Sequence, residues 1–263
     1  MDFAALVDPI AALARRAGER IQAIYRQGFT VAHKDDRSLL TDADLAAHDI
    51  IVGGLQATWP EVPVLSEEDA GVAFDERRHW EWLWLVDPLD GTWQFVHQCG
   101  EFTVNIALIH RHQAVFGLIL VPVTGISYWG FCGGGAFKAV PGQAAHAIRC
   151  RPRAEPPVCV AGSRAARGSL RDFLRQVGEH DYYTVGGALK SCLVAEGEAD
   201  LYARFGPTSE WDTAAAQIIV EEAGGRLTDT AMRPLRYNAR PSLINPNFFA
   251  FGDPRHDWSQ YLP

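Results

Sequence analysis

From Phe3 to Ile24 the apolar residues Phe3, Leu6, Ile10, Leu13, Ala17, Ile21 and Ile24 recur at spacings of three and four, which predicts a helix over 3–25 with one buried face. A polar stretch, Lys34-Asp35-Asp36-Arg37-Ser38, reads as an exposed loop, and a second helix follows over 41–59. Short β-branched runs bounded by Gly, Pro or polar turns then predict strands at 62–65, 82–86, 102–110, 113–121 and 126–131. The expectation for this first half is an α+β unit with an antiparallel sheet. Periodicity fades between Pro141 and Pro157, where Pro, Gly, Ala and Arg dominate and a linker with an edge strand is expected. Beyond it, strand 157–161, helix 168–177, strand 182–185, helix 188–196, strand 200–205, helix 211–223 and a strand near 247–251 alternate as in a layered α/β unit. The chain is therefore divided into an N-terminal domain, 1–145, and a C-terminal domain, 146–263.

Composition narrows the classes. With 263 residues, 48% of them hydrophobic, the chain can bury a sizeable core, and no apolar run approaches the roughly 18–20 residues of a membrane span. Asp2, Asp8, Arg15 and Arg16 interrupt the first helix, unlike the uninterrupted apolar core of a signal peptide, so a cytoplasmic address is expected. Five widely spaced cysteines without a C-x-x-C pair read as reduced and mostly buried. A net charge of −8 argues against a nucleic-acid polymer as partner, and an anionic substrate would need local positive charge.

The densest chemistry lies in Trp84-Leu85-Val86-Asp87-Pro88-Leu89-Asp90-Gly91-Thr92, an apolar strand that ends in two carboxylates, a glycine and a hydroxyl. Asp87 and Asp90 are hard oxygen donors suited to Mg²⁺, Mn²⁺ or Ca²⁺. Gly91 and Thr92 offer backbone N–H groups to a phosphate oxygen at the start of a short helix. The same segment also suits a plain turn in which Asp90 caps the helix and Asp87 is solvated. Val64-Leu65-Ser66-Glu67-Glu68-Asp69 repeats the theme, either as a second set of ligands or as an acidic loop that keeps a sheet end soluble. Asp212 falls in the first turn of a helix whose apolar face is Trp211, Ala214, Ala215, Ile218 and Ile219, as a ligand or as an ordinary dipole-stabilising acid. Thr41-x-x-Asp44 has capping-box spacing, and Asp44 with Thr92 would equally orient a water. Lys34 reads as a solvated lysine or a site residue. Together the four acidic segments and the Gly-Thr turn predict a phosphate-ester hydrolase with divalent ions roughly 3.5–4 Å apart.

In order and spacing, Glu67-Glu68, Asp87-Pro88-Leu89-Asp90-Gly91-Thr92 and Trp211-Asp212-Thr213-Ala214-Ala215 resemble the inositol monophosphatase superfamily over nearly the whole chain. Glu101 to Ile109, Leu189 to Tyr202 and Arg204-Phe205-Gly206-Pro207-Thr208 look most like its 3′(2′),5′-bisphosphate nucleotidases of the CysQ type. The resemblance implies a layered α-β-α-β-α sandwich of the inositol monophosphatase and fructose-1,6-bisphosphatase type. It implies a Mg²⁺-dependent phosphomonoesterase with two or three ions, Mn²⁺ as a substitute and Li⁺ as an inhibitor. Glu67, Asp87, Asp90, Asp212 and the Leu89 carbonyl would hold the metals. Thr92 and Asp44 would position the nucleophilic water, with Glu67 also in the catalytic set. Gly91, Thr92, Lys190, Ser163, Arg164 and Lys34 would meet the substrate. Arg164 and Arg167 are candidates for a second phosphate and equally for surface charges. The implied substrate is adenosine 3′,5′-bisphosphate, with inositol 1-phosphate or a broader range of sugar phosphates as the alternative, and relatives are often homodimers. Three departures bear on substrate choice. Gly186-Gly187-Ala188-Leu189-Lys190 stands where nucleotidases carry Gly-Ser-Ser-Leu-Lys, Ser163-Arg164-Ala165-Ala166 replaces Ser-Arg-Ser-His, and Trp93-Gln94-Phe95 replaces Lys-Glu-Phe.

Overall fold

The computed structural model of the protein describes every residue except 1, 34–38, 164, 165 and 167, so the loop expected at 34–38 lies outside the described residues. The predicted first helix forms as a 3₁₀ turn, Ala4–Leu6, running into α1, Val7–Gln27, and its buried positions include Leu6, Ile10, Leu13, Ala17, Ile21 and Ile24. A short hairpin, β1 (Val31–His33) and β2 (Leu39–Thr41), leads into α2, Asp42–Thr58. The α1 and α2 helices pack together on one face of a seven-stranded sheet. Its strands, in spatial order, are β3 (Val64–Ser66), β4 (Trp82–Asp90), β5 (Thr103–His110), β6 (Gln113–Leu120), β7 (Ser127–Phe131), β8 (Gly135–Ala139) and β9 (His146–Ile148). Between β3 and β4 lies α3, Phe74–Arg77, and after β4 comes α4, Thr92–Val96.

Two expectations about this half need correction. The sheet is not wholly antiparallel: β3 runs parallel to β4, with Ser66 opposite Val86. Hydrophobic alternation fixes which face a strand buries, not the direction of its neighbour. The second is an omission: the pattern did not predict β8, whereas β9 supplies the edge strand expected between Pro141 and Pro157.

The second sheet has the order β11 (His180–Thr184), β10 (Val158–Gly162), β12 (Leu201–Arg204), β14 (Phe248–Phe251) and β13 (Arg226–Asp229), with β10 parallel to both neighbours and β14 antiparallel to both of its own. The sequence pattern did not predict β13. Three helices complete the chain: α5 (Ser169–Val177), α6 (Leu189–Ala195) and α7 (Glu210–Glu222). The α5 helix covers the outer face of the second sheet through Phe173 and Leu174. The α6 and α7 helices lie between the two sheets, giving five layers in the order α-β-α-β-α.

That central placement changes the reading of α7. The predicted single apolar face becomes burial nearly all round, from Thr213 to Val220, as expected of a helix with sheets on both sides. Close approach is possible because the contact residues are small. A Cβ on Gly117 of β6 would lie 2.5 Å from the Ala215 carbonyl oxygen. That contact seats the body of α7 against the first sheet. Cys150, Cys159 and Cys192 are buried, whereas Cys132 is exposed. Among the described residues, no helix is long and apolar enough to cross a membrane.

Candidate metal and phosphate site

The parallel pairing of β3 with β4 builds the first half of the site. Because Ser66 lies opposite Val86, the next residues, Glu67 and Asp87, emerge side by side, and the Glu67 amide donates to the Val86 carbonyl at 3.1 Å. Farther along β4, Asp87 pairs with Asn105 and Asp90 with Thr103, so three residue steps on β4 match two on β5. The extra residue is a bulge, and Pro88, which has no N–H to donate, is tolerated there. The bulge turns Leu89 back, and its amide donates to Asp87 Oδ1 at 3.1 Å. Gly91 then adopts φ +93°, a left-handed backbone that favours glycine, and opens α4 at Thr92.

Two helix starts supply the rest. At α7, Ser209 and Asp212 form a capping box, with the Ser209 amide donating to Asp212 Oδ2 at 2.8 Å. At α2, Thr41 and Asp44 form another: Asp44 Oδ2 accepts from the Thr41 amide at 2.7 Å and from its hydroxyl at 2.6 Å. The second Asp44 oxygen accepts from the Thr92 hydroxyl at 3.2 Å. Both caps are therefore real, and both acids also face the site. Ligand atoms of Glu67, Asp87 and Asp212 all lie within 4.8 Å of one another.

Such proximity is electrostatically costly. Burial, reinforced by Glu67, Asp90, Asp212 and Asp44, pushes the Asp87 carboxyl well above the usual carboxylate range. Burial and then Asp90 raise Asp212 to about 8. Asp90 is raised mainly by burial, against the opposing pull of Lys190, and Asp44 is raised chiefly by burial. Like charges brought this close in a poorly solvated place need a cation or a proton. The donors are all oxygens, which suits a hard divalent ion such as Mg²⁺, Mn²⁺ or Ca²⁺. Residues and ion type therefore fit.

Beside the carboxylates lies a cavity of about 190 Å³ whose lining includes Asp90, Gly91, Asp212, Lys190, Tyr202 and Arg204. The Lys190 ammonium, buried over the Tyr202 ring at 5.3 Å, donates to the Gly187 carbonyl at 2.5 Å. Burial lowers its pKa, while Asp90 pulls it back up. A larger cavity of about 400 Å³, between Asp229 and Pro246, shares no lining residue with this one and holds a single carboxylate.

The sequence profile of the inositol monophosphatase family matches residues 4–256. The chain belongs to the inositol monophosphatase family. Within that family, it is 44% identical over 245 residues to the 3′(2′),5′-bisphosphate nucleotidase CysQ of Escherichia coli K12, covering 92% of this chain and 98% of that one. It is 36% identical over 255 residues to the Haemophilus influenzae CysQ, covering 96% of this chain and 95% of the relative. Among solved structures, CysQ from Bacteroides thetaiotaomicron superposes with a TM-score of 0.80 at 36% identity, covering 94% of this chain and 97% of that one. An inositol monophosphatase from Thermotoga maritima gives 0.78 at 25% identity, over 95% of this chain and 94% of the other.

In this family member the fold gathers Asp44, Glu67, Asp87, Asp90, Thr92 and Asp212 at one place, with the Leu89 carbonyl oxygen 3.3 Å from the Thr92 hydroxyl oxygen. Gly91, Lys190 and Ser163 line the adjoining cavity. Lys34 and Arg164 lie outside the described residues. Two residues near the site went unassigned in the sequence reading. Arg204, the last residue of β12, enters the cavity wall. Asn105, buried on β5, donates to Asp90 Oδ2 at 3.4 Å. The available signal for Asn105 was a polar residue two positions after Thr103 in an otherwise apolar strand. For Arg204 the signals were its place at a strand end and its membership of the Arg204-Phe205-Gly206-Pro207-Thr208 motif, to which no role had been attached.

Proposed function

We propose that the protein is a Mg²⁺-dependent phosphomonoesterase that hydrolyses the 3′-phosphate of adenosine 3′,5′-bisphosphate to give AMP and phosphate. The observation that carries this reading is the juxtaposition of the carboxylate cluster with a cavity bearing two cationic side chains, Lys190 and Arg204. One phosphate belongs over the acids, and a second anionic group belongs against the cations. Identity of 36–44% to CysQ nucleotidases over nearly the full length supports the same substrate.

Glu67, Asp87, Asp90, Asp212 and the Leu89 carbonyl would hold the ions. When bound, Mg²⁺ supplies Lewis acidity to the phosphate oxygens and makes an attacking water acidic enough to react. The protein's own groups do the rest. Asp44 fixes the Thr92 hydroxyl by accepting its hydrogen bond, which leaves a Thr92 lone pair free to accept from the water. Asp44, its basicity raised by burial, is the terminal proton acceptor of that pair. The Gly91 and Thr92 amides open α4 toward the phosphate, and Lys190 and Arg204 would orient the rest of the substrate.

Phosphate release from adenosine 3′,5′-bisphosphate and inositol 1-phosphate, measured side by side with and without Mg²⁺, tests this reading. A nucleotide preference of about 100-fold, some 2.7 kcal/mol in transition-state binding, is expected. Preference for inositol 1-phosphate would overturn the substrate and retain the chemistry, and it would assign the pocket's character to Ala188 and Ala166.

A further inference from the structure

Asp212 and Glu67 reach the site from distant parts of the chain, and the body of α7 is fixed by its packing on the sheet. Its first turn, which carries Asp212, is held by something else. The loop over residues 238–245 grips it at successive points. The Glu210 amide donates to the Leu243 carbonyl at 2.8 Å, and the Asn245 side-chain amide donates to the Ser209 carbonyl at 2.6 Å. Glu210 Oε2 in turn accepts from the Asn238 amide at 2.6 Å.

That loop is anchored to the β3–β4 connection by Arg77, which is 2% exposed. The Arg77 guanidinium donates to Asn238 Oδ1 at 2.7 Å and to the Pro241 carbonyl, while the Asn238 side-chain amide donates back to the Arg77 carbonyl at 2.6 Å. Asn238 has φ +52°, a left-handed backbone that Asn tolerates better than most residues. This conformation lets its backbone amide face Glu210 while its side chain faces Arg77. A buried guanidinium is expensive unless its donors are used, and a buried ionic network is weak grounds for stability alone. Its recognised use is to fix one geometry among several.

We propose that Arg77 and Asn238 are positioning residues: a buried tether that ties the connection following Glu67 to the first turn of α7 and thereby sets the spacing between the Glu67 and Asp212 carboxylates. Neither residue touches substrate. The inference rests on the metal site proposed above, and it is independent of which phosphate ester is hydrolysed.

The test is direct Mn²⁺ binding to the full chain, followed by electron paramagnetic resonance without substrate. Asn238→Gly preserves the left-handed backbone and the amide to Glu210 but deletes both side-chain bonds to Arg77. It is expected to raise the Mn²⁺ dissociation constant about tenfold or more. Its circular dichroism should be unchanged, and KM at saturating Mn²⁺ should stay within twofold. Arg77→Lys, which keeps a buried cation with fewer donors, is expected to weaken Mn²⁺ in the same direction. Folded Asn238→Gly protein with Mn²⁺ affinity within twofold of the parent would overturn the tether, even if its melting temperature fell, because that is the signature of a merely structural role. A parent chain that binds no Mn²⁺ would overturn the metal reading and the tether together.

Discussion

The hydroxyl of Thr92 donates a hydrogen bond to Asp44 Oδ1 at 3.2 Å, joining the start of α4 to the start of α2 across 48 positions of sequence. Asp44 has already committed its other oxygen to Thr41. The carboxylate is therefore fixed in orientation before any substrate arrives.

Thr92→Ala and Asp44→Asn should each lower kcat/KM by about 10²–10⁴-fold, the range for a proton-transfer group. Mn²⁺ affinity should change far less. The double variant should be little worse than the poorer single one, because the two act as one unit. Additive losses in a steady-state double-mutant cycle would show that they act separately.

Asp212→Asn should weaken divalent-ion binding and raise the melting temperature of the metal-free protein. Asn at this position can still accept from the Ser209 amide, so the cap survives, and a neutral amide spares the folded chain the cost of burying or protonating a carboxyl beside Asp90. Each kcal/mol relieved corresponds to roughly 2–4 °C in a chain near this size. Thermal melts in chelator and in Mg²⁺ would read both effects, which should have opposite signs. A lower metal-free melting temperature would contradict the electrostatic account.

The same charges set a pH dependence. Asp44, Asp87, Asp90 and Asp212 all have folded pKa values above the usual carboxylate range, with Asp212 at about 8. From about pH 4, where unfolded carboxyls ionise, up to about pH 8, the folded state retains protons that the unfolded state has released. Metal-free stability should therefore fall as pH rises through that window. Mg²⁺ requires the ionised carboxylates, so its stabilising effect should grow over the same range, and activity should rise toward mildly alkaline pH. Melting curves across the window with and without Mg²⁺ would check this; a Mg²⁺ effect independent of pH would count against the cluster as the binding site.

Lys190→Ala and Arg204→Ala should raise KM for adenosine 3′,5′-bisphosphate by about 10-fold to 100-fold, as expected for loss of a hydrogen bond to a charged group. Adenosine 3′-monophosphate, which lacks the second phosphate, should be affected much less. Equal losses on both substrates would place these cations at the scissile phosphate instead.

Li⁺, a small hard cation, should inhibit at fixed Mg²⁺ by competing for one of the proposed ion positions, formed by Asp87, Asp90 and Asp212. Turnover indifferent to Li⁺ would remove that expectation and leave the Mg²⁺ requirement standing.

The acidic motifs were legible because their geometry is local. Asp87-Pro88-Leu89-Asp90-Gly91 encodes its own bulge and turn through a proline without an N–H and a glycine with positive φ. The capping boxes at Thr41 and Ser209 are local too, and the first is readable from spacing. The parallel partnership of β3 and β4 was not legible, nor were the short β8 and β13, because a strand's residue pattern does not name its neighbour. Arg77 was unreadable for the same reason. Its partners lie 161 to 164 residues away, and four-residue α3 looks like a polar surface turn in sequence.

By itself, then, the sequence determined which residues are proposed to bear the chemistry and the local backbone that aims them: Glu67 after an apolar strand, Asp87 and Asp90 around Pro88, Asp44 and Asp212 in first helical turns. Only the tertiary structure decided that these carboxylates meet. Parallel pairing brings Glu67 beside Asp87, and the small residues of α7 let the helix sink between two sheets until Asp212 completes the cluster. The physical reason is range. Caps, turns and bulges are fixed by forces between near neighbours in the chain, whereas strand partnership and layer packing are set by burial of surfaces that distant segments contribute together.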